Sequence, residues 1–139
     1  MQPPPPLLAQ PHIQKTLPDL GGNNERSTGY RARDLNHRFE RMDGAYLGGV
    51  LIAQHKAMTS AKFPFSTRQF SEFAFGKEGK PGMVPGIANF PGIVTFAGGL
   101  PIITANKVQI GGIGVSGGTS DQDEQCAQAG IDAVKSELT

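Results

Sequence analysis

Residues 108–130, VQIGGIGVSGGTSDQDEQCAQAG, set a glycine-studded apolar run directly against an acidic, helix-like segment. Glycine in a strand removes side-chain bulk, so the run admits close approach by a ligand, another strand or a neighbouring subunit. It also contains Gly112-x-Gly114-x-x-Gly117, the letters of a dinucleotide-binding loop. Such a loop needs its third glycine at the start of a helix, then a further strand and an acidic ribose partner about twenty residues on. The residues between Gly117 and Thr139 hold one helix and no further strand. That helix is expected to begin after Gly118, capped by Thr119 with Gln122 or by Ser120 with Asp123, both patterns of a capping box. Asp121, Asp123 and Glu124 in its first turn already complement the helix dipole and repel a phosphate. Its apolar face runs Ala127, Ile131, Val134, Leu138. Gly114-Val115-Ser116-Gly117-Gly118 also spells a nucleophile elbow, but no aspartate-then-histidine follows it, which argues against serine hydrolysis. The glycine run is therefore taken as a packing or docking surface.

Upstream, IVTFA at 93–97, LPIIT at 100–104 and VQIGGIGV at 108–115 read as three strands. Gly98-Gly99 and Ala105-Asn106-Lys107 are the tight connections, and strands joined so closely form an antiparallel meander. Residues 46–62, YLGGVLIAQHKAMTSAK, are expected to form a helix with Leu47, Val50, Leu51, Ala57, Met58 and Ala61 on one apolar face. On that wheel Lys56 points away from the apolar stripe as an exposed or intersubunit charge, and His55 sits half-buried at its edge. Ser66 or Thr67 starts a second helix carrying Phe70, Phe73 and Ala74. Aromatic residues 63, 65, 70, 73 and 75 favour core packing over a ligand pocket. Residues 76–92 form a long glycine- and proline-rich loop of the kind that serves as a lid.

A chain of 139 residues fits one domain. Its organisation changes at about residue 38: prolines, the 21–24 Gly-Gly-Asn-Asn cluster and scattered charges leave 1–38 atypical and poorly ordered, with the domain proper at 39–139. Arginines 26, 31, 33, 38 and 41 crowd this junction, yet no aromatic ladder accompanies them, so they read as solvated charges rather than a nucleic-acid arm. With 13 basic against 12 acidic residues, global charge names neither nucleic acid nor membrane as a partner. The single cysteine, Cys126, suits a reducing compartment. The opening MQPPPPLLAQPHIQK has neither a basic leader nor a continuous apolar core, so the expected localisation is cytoplasmic.

Four segments share an order and spacing with a known family. Arg41-Met42-Asp43-Gly44-Ala45, Lys56-Ala57-Met58-Thr59, Phe96-Ala97-Gly98-Gly99-Leu100-Pro101-Ile102, and Gly112-Ile113-Gly114-Val115-Ser116-Gly117-Gly118 followed by Gln122-Asp123 resemble the GlcG/HbpS-like haem-binding family. That family is related to the C-terminal domain of PduO-type corrinoid adenosyltransferases. The resemblance implies an α/β (α+β), profilin-like fold, an antiparallel sheet flanked by helices, with the usual N-terminal helix and first strand degenerate or missing here. It implies self-association into a homo-oligomer and haem or a related tetrapyrrole as cofactor. The matching segments then nominate His55, Lys56, Thr59, Gly98, Gly99, Pro101 and Ser116 as cofactor-binding residues. His55 is nominated as iron ligand, because His12 and His37 fall outside the matched region. No catalytic residue is nominated. The function implied is a haem-binding accessory protein in haem handling or redox stress; an enzyme acting on haem or a small metabolite and a non-catalytic oligomeric module are the alternatives.

Overall fold

The computed structural model describes residues 14–16 and 38–139, with the backbone alone at 14–16 and 38. Helix formation begins where the periodic segments lie. Helix α1 spans Leu47–Lys62 and α2 spans Thr67–Phe75. Ser66 caps α2: its hydroxyl accepts the Gln69 N–H while the Gln69 side chain accepts the Ser66 N–H, a reciprocal capping box. Helix α3 spans Ser120–Ala133 and is capped in the same way by Thr119 and Gln122, the first of the two caps the sequence allows.

Strands β1 (Gln14–Thr16), β2 (Arg38–Phe39), β3 (Gly99–Ile103) and β4 (Gln109–Gly114) form a four-stranded sheet in the order β2-β1-β4-β3. Every neighbouring pair is antiparallel. The hairpin β3–β4 pairs Gly99 with Gly114 and Pro101 with Gly112, and its register skips Ile110. Two short strands thus lie in and beside the stretch read as irregular, and β1 supplies a central strand that the sequence seemed to lack. The rest of 1–37, with His12, His37 and arginines 26, 31 and 33, lies outside the described residues.

Side chains alternate across a strand, and β4 uses that alternation to separate two interfaces. Gly112 and Gly114 face α1: a Cβ on Gly112 would lie 2.5 Å from both the Ala57 carbonyl oxygen and the Ala61 nitrogen. Gly114 meets the Ala53 and Ala57 backbone even more closely. Ile113 faces the other way, towards Gly130 of α3. There it joins Ile102, Val115, Ala127 and Leu138 in the core, with Ile131 and Val134 packed against it. The expected apolar face of α3 is the one observed. The sheet is accordingly covered by α1 on one face and α3 on the other. Gln109 fixes the end of α1, its side-chain amide donating to the carbonyls of Ser60 (2.6 Å) and Phe63 (3.0 Å).

Three expectations need correction. Residues 93–97 are not a strand, because their polar groups turn to α1: the Thr59 hydroxyl accepts the Val94 N–H at 3.1 Å and donates to the Gly92 carbonyl at 3.2 Å. The meander is a hairpin completed by β1 and β2. On α1 the buried residues are Gly49, Ala53, Lys56, Ala57, Thr59 and Ser60, whereas Leu47 and Leu51 are 77% and 62% exposed. Backbone-to-glycine contact leaves room for small side chains only, and hydrophobicity does not rank them. Finally, the 76–92 loop packs onto α2, with the Val84 N–H donating to the Phe73 carbonyl at 2.8 Å. Phe63, Phe65, Phe70 and Phe73 form edge-to-face pairs with centroids 5.2–6.0 Å apart around the buried Phe70, while Phe63 is 38% exposed and Phe75 stays exposed. Among the described residues no helix is long and apolar enough to cross a membrane.

Gly114→Ala is expected to destabilise the protein by about 1–3 kcal/mol, because overpacking must push α1 off the sheet. Gly48→Ala meets open space on the exposed side of α1 and should instead stabilise by about 0.5–1 kcal/mol through helix propensity. Chemical denaturation of both variants checks the contrast.

Candidate functional site

Lys56 lies on the inner face of α1 and is 1% exposed, not solvent-facing as its polarity suggests. Its ammonium has three donors, and two acceptors and an aromatic ring surround it. Nζ donates to Asp123 Oδ2 at 2.9 Å and to the Val115 carbonyl at 2.9 Å, and the Phe96 ring centroid lies 4.9 Å away. Burial lowers the Lys56 pKa below its ordinary 10.5, while the hydrogen bond and charge of Asp123 act in the opposite direction. Asp123 is at once this counter-ion and a helix-end group, since its other oxygen accepts the Gly118 N–H at 2.9 Å. The cluster therefore joins α1, the exit of β4 and the first turn of α3.

Gly98 completes the junction with φ +129°, and a Cβ there would lie 2.5 Å from Lys56 Nζ. Its carbonyl accepts the Val115 N–H at 2.9 Å. Gly99 donates its N–H to Thr67 Oγ1 at 2.9 Å, and its own Cβ position is filled by the Lys56 carbonyl and the Thr67 and Ser60 side chains. Thr59, 1% exposed, anchors 92–94 as described above. Ser116, 7% exposed, follows the carbonyl that holds Lys56. The structure thus gathers Lys56, Thr59, Gly98, Gly99 and Ser116 around the inner side of α1. Pro101 stands apart, opposite Gly112 along β3.

His55 occupies a different position. It is half-buried on a flank of α1, and helical spacing puts Ile52 three residues before it and Thr59 four residues after it on the same side. Ile52 and Phe96 are each part-exposed, at 37% and 44%. Among the described residues no group of three or more His, Cys, Asp or Glu side chains forms a metal cluster. Asp121 and Glu124 are engaged by Arg68, whose guanidinium lies 2.5 Å from Asp121 and 2.9 Å from Glu124, tying α2 to α3. Sequence reasoning missed Asp123 as a counter-ion, Phe96 as the cover of Lys56 and Thr67 as the partner of Gly99. One signal for the first was available: Lys56 falls on the same helical face as Gly49, Ala53 and Ser60, all small.

An antiparallel sheet with α1 seated on its glycines and α3 on its apolar face defines an α+β domain, the class expected. The chain belongs to the HbpS-like family: the family described as haem degrading protein HbpS-like matches residues 32–132. A Citrobacter freundii relative, an uncharacterized 15.0 kDa protein in the dhaT-dhaS intergenic region, is 36% identical over 93 residues. The match takes in 67% of this chain and 63% of that relative, so the chain spans less than two thirds of the relative's length. Klebsiella pneumoniae protein ORFY aligns with TM-score 0.64 and 29% identity, over 93% of this chain and 78% of its own. HbpS aligns with TM-score 0.62 and 28% identity, over 88% and 74%. A PduOC–haem complex, at TM-score 0.66 and 24% identity over 91% and 80%, shares the fold.

Removing one partner of the buried pair leaves the other uncompensated. Lys56→Ala or Asp123→Ala alone is expected to cost about 3–5 kcal/mol, and the double variant Lys56→Met with Asp123→Leu to recover most of that loss. Urea unfolding of the single and double variants measures the difference.

Proposed function

We propose that this protein binds haem as an accessory factor in haem handling or redox stress, and that it works as a homo-oligomer. The observation that carries the reading is His55, half-buried on α1 and one helical turn from the part-exposed Ile52. A neutral imidazole is an iron ligand, and apolar neighbours suit a macrocycle, so these residues fit the group. Membership of the HbpS-like family and a structural relative whose complex contains haem support the same reading. The iron supplies ligand exchange and one-electron chemistry when haem is bound.

The chain's own residues divide into two roles. His55 offers the iron-binding nitrogen, and Ile52 and Phe96 offer apolar contact. Thr59 holds residues 92–94 against α1, and Lys56, Gly98, Gly99 and Ser116 belong to the junction on the inner side of that helix. Pro101 stiffens β3 behind them. Cys126, half-buried and unpaired, is consistent with a reducing, cytoplasmic setting.

Titration of the purified protein with haemin is expected to give an intense shifted absorption band, weakened by at least about tenfold in affinity in His55→Ala, a loss of roughly 1.4 kcal/mol. No binding at micromolar haemin overturns the reading. Disappearance of the band with a reductant moves it to an enzyme acting on haem, the activity carried by the family's description.

A further inference from the structure

Thr59 joins the flank of α1 that carries His55 to the end of the 76–92 loop. Its hydroxyl holds the Gly92 carbonyl and the Val94 N–H, and the residue is 1% exposed. The loop arrives there through a run of closed turns. The Ile87 N–H donates to the Val84 carbonyl at 3.1 Å, the Phe90 N–H to the Ile87 carbonyl at 3.2 Å and the Ile93 N–H to the Phe90 carbonyl at 3.3 Å. In the last of them, Phe90-Pro91-Gly92-Ile93, proline stands second and a glycine at φ +82° third, as a type II turn requires. Nothing lies within 4 Å of a Cβ built on Gly92, so conformation and not space selects glycine there. With the Val84 N–H tied to the Phe73 carbonyl of α2 and the Gly92 carbonyl to Thr59, the run is fixed at both ends.

Exposure along the flank of α1 changes where this turn is seated. Ile52, His55 and Thr59 succeed one another at helical spacing, and they are 37% exposed, half-buried and 1% exposed in that order. The flank therefore makes a step, with the pinned turn rising at Thr59 and His55 one helical turn before it. Phe90 opens the pinned turn, and it is 62% exposed. Among the described residues no ring or cation stacks on it, whereas the Phe96 ring is already set on the Lys56 ammonium. The stretch it belongs to, PGMVPGIANFPG at 81–92, carries no charged residue, and none of Pro85–Asn89 is buried. A neutral apolar wall that is ordered before anything binds suits a flat apolar ligand, because little ordering cost is left to offset the contact.

We propose that Phe90 stacks on the haem that His55 ligates, and that Thr59 is the positioning residue that keeps the turn carrying Phe90 beside the imidazole. The inference rests on the haem reading and adds to it a second wall, built from the loop and not from α1. An aromatic ring set against a macrocycle gains stacking or edge contact on top of the apolar area it covers. Met83 belongs to the same uncharged stretch and is 85% exposed, but it precedes the run of turns at the end tied to α2, so it takes no part.

Haemin and zinc protoporphyrin, the second of them diamagnetic, are the probes. Phe90→Ala is expected to raise the haemin dissociation rate by at least about tenfold with the melting temperature unchanged, since it truncates an exposed side chain. Met83→Ala should leave the rate as it is. Thr59→Val keeps the volume but cannot hold the turn, so it should speed release in the same direction, and Thr59→Ser should restore the wild-type rate. In the unaltered chain, bound zinc protoporphyrin should move the Phe90 ring protons and the Gly92 and Ile93 amide signals by its ring current, a readout that depends on no variant's stability. A wild type that binds haemin through His55, with Phe90→Ala unchanged in rate and no ring-current shift at Phe90, overturns the stacking assignment and leaves the haem reading standing. Equal acceleration in Phe90→Ala and Met83→Ala overturns it too, because the loss would then belong to the whole stretch. Failure of the wild type to bind either probe overturns the haem reading and this inference with it.

Discussion

The backbone of α1 rests on the backbone of the β3–β4 hairpin, and the rest of the structure follows from that contact. Gly99, Gly112 and Gly114 leave no side chain between helix and strand, and Ala53, Ala57 and Ser60 answer them with the smallest residues available. Close approach gains dispersion contact along the whole helix, but it also fixes axial position and rotation. Once the helix is so placed, Thr59 must point at residues 92–94, His55 must stand on the flank and Leu47 and Leu51 must face outward. Gln109 then reaches the last carbonyls of α1 from the neighbouring strand, so the helix end is satisfied by the element it packs on.

The same approach brings Lys56 into the interior. An isolated ammonium there would cost several kcal/mol in lost hydration, and the Asp123 carboxylate, the Val115 carbonyl and the Phe96 ring replace the water it gives up. A hydrophobic pair of similar volume would stabilise the junction as well or better, so strength alone does not account for the ions. Their directionality does more: Lys56 holds α3 by its first turn and the exit of β4 by the Val115 carbonyl, and a misplaced helix would leave a buried charge without a partner. Gly98 belongs to this arrangement because Nζ already fills the volume that a Cβ would claim, and its φ of +129° lies where other residues are strained.

What was legible in the sequence depended on how local the governing interaction is. The caps at Ser66 and Thr119 span three residues each, and both were readable in their roles. The apolar face of α3 was readable because an ordinary aliphatic core covers it. The inner face of α1 was not, since periodicity ranks Leu47 and Leu51 above Ala53 and Ser60, and the glycines that reverse that ranking lie some fifty to sixty residues away. Residues 93–97 have the composition of a strand, yet the Val94 N–H goes to the hydroxyl of Thr59 and the Ile93 N–H to the Phe90 carbonyl. Strand β1 carries no alternating pattern over its three residues and gains its place by pairing with β4 on one side and β2 on the other. The pairing of Lys56 with Asp123 crosses 67 residues, beyond any local rule, and Asp123 had a sufficient local explanation as a helix-end carboxylate.

The segments that carry the family resemblance turn out to be those that build this junction. Lys56-Ala57-Met58-Thr59 supplies the helix side of it, Phe96–Ile102 and Gly112–Gly118 the strands and turns, and Asp123 the counter-ion. Arg41–Ala45 forms the turn that launches α1, with the Arg41 guanidinium on the Ala45 carbonyl at 2.6 Å and Gly44 at φ +79°. A motif set of this kind is bound to architecture: Gly98, Gly99, Gly112, Gly114 and the lysine are explained by what they touch inside the domain, and Gly44 by its positive φ. Under the proposed function, the residues available to a ligand are those that the junction positions without consuming, with exposed surface along the flank and outer face of α1. His55 meets that condition and Lys56, its neighbour in sequence, does not. The ammonium is committed to the Asp123 carboxylate, the Val115 carbonyl and the Phe96 ring, whereas the imidazole stands half-buried on the flank of α1.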